Sequence, residues 1–182
     1  LGTKRLCLNL LHNFYPLKIR NASMSDLELL FSWVNEKNVR KFSFDEHKIT
    51  KKEHENWLKK SLNDLDKYIF IITNLYDLPL AQTRFEKNGE ILKIDISIDK
   101  DYRGNNLATN ILKISLIEIS KKFNFKVYVI AEIKNKNKAS IKAFMNLKYY
   151  EKKIDEIENK FIFKFDLSNR ALLSLLNDEI NS

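Results

Sequence analysis

The amino-acid sequence predicts a single α+β domain, and three observations lead there. The chain has 182 residues, of which 44% are hydrophobic, enough for one sizeable core and short of the length at which two become usual. Stretches that alternate apolar and polar residues at period two are interleaved with stretches whose apolar residues recur at helical spacing, and three of the former follow one another in the middle of the chain. Linker material is scarce, with three glycines, two prolines, no internal repeat and no low-complexity segment.

The first strand is "PLKIRNA", Pro16 to Ala22, which alternates at period two. "SDLELLFSWVNE" follows as an amphipathic helix: Ser25 is the expected N-cap, Asp26 and Glu28 favour the positive helix end, and Leu27, Leu30, Phe31 and Val34 share a face. Asn35 reads as its C-cap. "TKKEHENWLKKSLND" opens with capping-box spacing, Thr50 three residues before Glu53, and gives a second helix. Three strands come next, "YIFIIT" (Tyr68 to Thr73), "PLAQTRFEK" (Pro79 to Lys87) and "EILKIDISI" (Glu90 to Ile98). Asn88-Gly89 between the last two is a hairpin signal, because both residues tolerate positive φ.

"NLATNILKISLIEISKKF" predicts a long helix with Leu107, Ile111, Ile114 and either Ile117 or Glu118 on its apolar face. "KVYVIAEI", Lys126 to Ile133, carries β-branched residues on both faces and suits a central strand. "NKASIKAFMNL" is a helix capped by Asn137, "YYEKKID" and "KFIFKFDL" are a closing pair of strands, and "SNRALLSLLNDEI" is a short terminal helix. The expected organisation is a connecting segment over 1–15, one domain over 16–167 and a helical tail over 168–182. The chain opens on Leu1 without an initiator Met, which reads as a piece of something longer.

Composition excludes several classes. The net charge of +8 favours encounter with polyanions, but the lysines are spread along the chain without an Arg-rich stripe interleaved with aromatics, so nucleic acid is not the expected partner. No apolar run approaches the roughly 20 residues of a membrane span, and none follows a signal-peptide plan. A soluble, cytoplasmic protein is expected. The single cysteine, Cys7, rules out an internal disulfide framework, and His12, His47 and His54 show no metal-ligand spacing with it, so no metal is expected.

"DYRGNNLATNIL", Asp101 to Leu112, carries the first chemical signal. A helix N-terminus presents unpaired N–H groups and partial positive charge, so a slim loop entering one binds phosphate through its backbone. Gly104 allows positive φ, Ala108 keeps the first turn slim, and Asn106 is the kind of non-glycine residue that best tolerates the left-handed region. On these residues alone a phosphate loop and an ordinary helix start are both open.

The order of elements, with "Y-R-G-x-x-L-A" after one strand and "N-x-x-S-I-x-A-F" after the next, resembles the GNAT superfamily of acetyl-CoA-dependent N-acyltransferases from Leu17 to about Asp166. Family loops read R/Q-x-x-G-x-G/A; Arg103, Gly104, Asn105, Asn106, Leu107 and Ala108 fill that pattern with one departure, Asn106. The resemblance implies a mixed, mostly antiparallel central sheet flanked by helices, with middle strands at about Lys93 to Ile98 and Val127 to Ile133 that splay apart. The cofactor's pantetheine arm would lie in the gap, held by backbone groups near Ile96 and Ile98 that also polarise the thioester carbonyl. Asn137 and Ser140 match positions that contact the cofactor in the family; a helix cap and a first-turn polar residue are the other reading of the same two.

A narrower resemblance lies in the first half. "LFSWVNEKNVRKFSF", "ITKKEHENW" and "AQTRFE" look like the acetyltransferases of pseudaminic acid and related nonulosonic acid pathways, which acetylate the 4-amino group of a UDP-linked amino-dideoxy sugar. "LGTKRLC" resembles the end of a UDP-sugar hydrolase that sometimes precedes this domain on one chain, which would make a hydrolase domain its covalent or pathway partner. The function implied is direct transfer of acetyl to such a sugar in a ternary complex, with acetylation of a protein N-terminus or a noncatalytic CoA-binding module as the alternatives.

Acyl transfer to an amine needs a neutral nucleophile, a route for its proton and a stabilised oxyanion. Glu132, in "IAEI" near the expected splay, is the candidate base: its sequence neighbours are apolar, a setting in which a carboxylate accepts a proton more readily, directly or through water. Pairing with a nearby lysine is its structural alternative. Where many relatives carry a tyrosine acid, in S-x-x-x-Y, this chain has Phe144, so either the thiolate leaves unassisted or another group protonates it. Arg40, Ser43, Phe44, His54, Trp57 and Arg84 are the substrate-side candidates, since arginine binds diphosphate bidentately and aromatic rings stack on a base or sugar face. Cys7 lies outside these motifs, so no acyl-cysteine step is needed.

Overall fold

The computed structural model describes residues 16–104, 107–147 and 151–168. Its strands are β1 (Lys18–Asn21), β2 (Lys67–Thr73), β3 (Pro79–Asn88), β4 (Ile91–Ile98), β5 (Tyr128–Lys134), β6 (Glu151–Asp155) and β7 (Lys160–Asp166). Its helices are α1 (Leu27–Val34), α2 (Lys37–Phe42), α3 (Lys51–Leu62), α4 (Leu107–Ser120) and α5 (Lys138–Met145). The strands form one sheet in the order β1-β2-β3-β4-β5-β7-β6, antiparallel at every junction except β4 with β5. This is the mixed, mostly antiparallel α+β architecture expected.

Period-two alternation distributes the sheet's side chains between two helical layers. Ile69 and Ile71 of β2 turn to one face, where Leu30 and Trp33 of α1 and Leu58 of α3 cover them. Phe70, Phe85, Leu92, Val129, Ala131, Phe163 and Phe165 turn to the other and pack against Leu112 and Leu116 of α4 and Phe144 of α5. A polar contact crosses that core: Thr83 donates to the Ser115 hydroxyl at 2.9 Å, and Ser115 donates to Ile111 O at 2.7 Å.

Several local expectations are corrected. The first helical turn begins after Ser23, not Ser25: Asp26 accepts from the Ser23 N–H at 2.9 Å and from Arg20, and Ser25 falls inside a single 3-10 turn at Met24–Asp26. The helix α2 was not expected; it has six residues and caps itself, the Glu36 carboxylate accepting from Asn38 N at 3.2 Å. In α4 the buried stripe includes Leu107, Ile111, Ser115 and Ile119, with Ile114 only half-buried, because that helix packs against the sheet and α5 together instead of along one narrow seam. The β3–β4 turn is Gly89 and Glu90, since Asn88 pairs with Ile91, and Gly89 supplies the positive φ of 60°. Thr50 and Glu53 form the expected capping box, and Asn137 caps α5. The connecting segment 1–15, Asn105, Asn106, residues 148–150 and the terminal helix beyond 168 lie outside the described residues.

Candidate active site

The parallel pairing of β4 with β5 stops early. Ile91, Leu92 and Lys93 register with Tyr128, Val129 and Ile130, and no further pair follows. The backbone phase shows what faces the resulting gap. Asp99 N donates to Leu80 O at 2.8 Å, so by antiparallel alternation Ser97 and Asp95 bond to β3, while Ile94, Ile96 and Ile98 turn their N–H and C=O groups toward β5. Across the gap, Leu167 N donates to Val127 O at 3.0 Å, which commits Val129, Ala131 and Ile133 to β7 and turns the backbone of Glu132 and Lys134 toward β4. Ile96 and the N–H of Ile98 therefore line one lip, as the sequence anticipates. The Ile98 carbonyl does not join them, because Arg103 Nε donates to it at 2.9 Å.

The loop into α4 sits at the mouth of this gap. Asp99 accepts from Asp101 N at 2.9 Å and from the Trp33 indole at 2.6 Å, which ties the loop's start to α1. Arg103 also reaches Glu36 at 2.5 Å, so it pins the loop to the α1–α2 corner instead of pointing freely at a phosphate. Burial works against ionisation of Glu36, yet the Arg103 and Asn38 hydrogen bonds hold its carboxyl below the usual range. Gly104 has φ +80°, and a Cβ built there meets no atom within 4 Å, leaving the backbone open to an approaching group. The Leu107 side chain is buried against Ile72 and Ala81, so it offers a ligand its backbone alone; Ala108 packs half-buried beside it. A Gly turn, a helix start and a splayed strand pair with free backbone groups fit a pyrophosphate-bearing thioester carrier.

On α5, Asn137 Oδ1 accepts from Ser140 N at 3.2 Å, so both candidates act first as cap and first turn. Phe144 is 2% exposed, stacked on Phe163 at 5.7 Å and tilted on Phe165 at 6.1 Å; its position is core.

The opposite side of the gap gathers most of the substrate candidates. The Glu132 side chain leaves the sheet on the α1–α3 face, whereas its apolar neighbours Ala131 and Ile133 point to the other. Its surroundings are thus cationic, not apolar as the local sequence reads: Lys93 Nζ stands at 3.4 Å and Lys160 Nζ at 3.6 Å. Lys160 also lies 5.8 Å from the Phe44 ring, which is 57% exposed. Lys134 pairs with Glu46 at 2.7 Å, holding the α2–α3 loop over β5. Arg40 donates to Ser43 Oγ at 2.7 Å and to His47 O at 3.2 Å, so this pair braces the loop that presents Phe44. His54 is buried between Phe31 and Trp57, and Arg84 lies 5.3 Å from the Trp57 ring while pairing with Asp95. Arg84 is therefore engaged within the protein. Sequence reasoning missed Lys93, Asp95 and Lys160; alternation from Arg84 across the hairpin could have placed Asp95, but nothing local points to the lysines.

Among the described residues no group of three acidic, His or Cys side chains is arranged to hold a metal, and no helix is long and apolar enough to cross a membrane.

The fold and gap define an acyl-carrier-dependent acyltransferase. The model of the acetyltransferase (GNAT) domain matches residues 17–149, and the chain belongs to that family. It is an acetyl-CoA-dependent N-acetyltransferase. Solved structures agree in fold: a domain from Methanocaldococcus jannaschii has a TM-score of 0.71 at 22% identity, covering 84% of this chain and 99% of its own. Spermidine N-acetyltransferase from Vibrio cholerae, in complex with CoA and spermine, gives 0.72 at 14% identity with 83% and 94% covered. AAC(6')-Ib, in complex with paromomycin and acetyl-CoA, gives 0.65 at 13% identity with 82% and 92% covered. No curated protein sequence matches.

Proposed function

We propose that the chain transfers acetyl from acetyl-CoA to the 4-amino group of a UDP-linked amino-dideoxy sugar, directly, in a ternary complex. The observation that carries this reading is the exposed Phe44 ring against Lys160, which with Lys93 flanks the Glu132 carboxylate. One negative and two positive charges leave a local positive excess suited to a diphosphate, and the ring offers a stacking face for a base or sugar. The first-half resemblance to nonulosonic acid acetyltransferases supports the same substrate.

Acetyl-CoA supplies an activated acyl group. The chain's own residues do the rest: the Gly104 turn and the start of α4 hold the pyrophosphate, and the Ile96 backbone facing the gap orients and polarises the carbonyl. Glu132 accepts the amine's proton, directly or through water, and the paired lysines keep the carboxylate in place. Phe144 has no hydroxyl to serve as an acid, and no residue is assigned to that step.

The test is thiol release from acetyl-CoA with a UDP-4-amino-4,6-dideoxy sugar, with the sugar's mass followed and an N-terminal peptide and spermidine as comparison acceptors. An acetylated UDP-sugar is expected. Turnover with the peptide or spermidine in its place overturns the substrate, and no turnover with any acceptor would favour a noncatalytic CoA-binding role.

A further inference from the structure

Past Glu132, the α1–α3 face of the sheet continues into an open hollow. Strand register places Ile91 of β4, Tyr128 and Ile130 of β5, and Ile162 and Lys164 of β7 on that face, where they line a cavity of about 620 Å³. Its floor is apolar. Ile91 is 39% exposed, Ile130 and Ile162 are half-buried, and none of the three belongs to the apolar clusters formed among the described residues. The helices α1 and α3 cover the same face at β2, on the other side of β3. A group of isoleucines left open to water gains from any element laid over it, and apolar patches of this kind mark contact surfaces.

The chain itself leaves the sheet beside the hollow. Asp166, the last residue of β7, pairs with Tyr128 and shares the phase of Ile162 and Lys164, so its carboxylate lies on the open face. Ser168 donates to Asp166 Oδ1 from its N–H at 2.9 Å and from its hydroxyl at 2.6 Å, a turn that bends the backbone toward that face. The residues that follow, 169–182, lie outside the described ones, and their sequence is amphipathic. At helical spacing Leu172, Leu173, Leu176 and Ile180 fall within about 100° of one another. About 12 such residues make a helix of about 18 Å, long enough to cross four strands spaced about 4.8 Å apart. The rim carries both signs, Lys153 and Lys164 with Glu90 and Glu151, which suits a segment that itself carries Arg170, Asp178 and Glu179. The segment 1–15 fits less well, because it precedes β1, three strands from β4 and beyond α1 and α3.

We propose that residues 169–182 turn back as a helix over β4, β5, β7 and β6 and seat their leucine stripe on Ile91, Ile130 and Ile162. The hollow adjoins the acceptor side, since Lys93, which reaches Glu132, is the register partner of Ile130. The docked helix closes that side at the end away from Phe44, whose ring lies by Lys160. The docking does not depend on which acceptor is used.

The test is hydrogen exchange, read by mass spectrometry on the full chain, for the parent, for Leu173→Asp combined with Leu176→Asp, and for Ile91→Asp. In the parent, amides of 171–180 are expected to exchange at least about tenfold more slowly than an unstructured chain, equally at low and high protein concentration. Both variants should lose that protection. Ile91→Asp is the sharper arm, because Ile91 lies outside the core clusters and reaches the segment only through the proposed contact. Amides of α4 and α5 should stay protected in both variants, which shows that the domain is still folded. Unprotected segment amides in the parent, a reading that needs no variant to fold, overturn the docking, as does protection that survives Ile91→Asp. Protection confined to high concentration, with a doubled mass in sedimentation, assigns the hollow to a second copy of the chain and overturns it too.

Discussion

Replacing Glu132 by glutamine keeps the shape of the side chain and removes its charge, and two magnitudes then separate its roles. As an ion-pair partner Glu132 holds Lys93, 64% exposed, at 3.4 Å and Lys160, 13% exposed, at 3.6 Å. Part-exposed pairs of this kind contribute roughly 0.2–1 kcal/mol each, so the loss in stability stays below about 2 kcal/mol, or roughly 4–8 °C in thermal midpoint for a domain of this size. A general base contributes about 10²–10⁴ in rate, which at about 1.36 kcal/mol per decade is roughly 3–5 kcal/mol of barrier. The expected result is therefore a kcat at least about a hundredfold lower, with modest destabilisation. Thiol release at saturating acetyl-CoA reads the rate. A kcat within about threefold of the parent, with a lowered midpoint, would refute the assignment and leave Glu132 as an anchor for two lysines.

Three further outcomes are expected. Gly104→Ala forces a Cβ into φ +80° with no atom nearby to clash, so the cost is conformational, about 1–2 kcal/mol; acetyl-CoA KM should rise severalfold while acceptor KM holds, as steady-state kinetics will show. Phe144→Tyr adds a hydroxyl but buries it among Phe163 and Phe165; calorimetry should record about 1–3 kcal/mol of lost stability with no gain in kcat. Burial, and then Arg84, lower the pKa of His54 below its ordinary 6.5. Its contribution to stability is complete above that value and is lost as pH falls through it toward the folded pKa, so the parent's thermal midpoint should drop more than that of His54→Gln on acidification.

Much of the architecture was legible because it is set by neighbours in sequence. The Thr50–Glu53 capping box and the Asn137 cap are contacts three residues apart, and the period-two strands declare their faces without reference to anything distant. The short helix α2 escaped because six residues give no apolar period, and its cap is a Glu, a residue seldom read as one. The loop motif suggested a cofactor end, yet Arg103, read as part of it, is spent on Glu36 and the Ile98 carbonyl.

By itself the sequence determined the order of the strands and the longer helices, the glycine turn before a helix and the family they belong to, since backbone propensity, capping and side-chain periodicity act over a few residues. The tertiary structure decided what surrounds Glu132 and that Arg84 answers to Asp95 and Trp57. Those relations join strands far apart in the chain, and a charge's environment is set by whatever the fold brings within a few ångströms of it, which local pattern does not record.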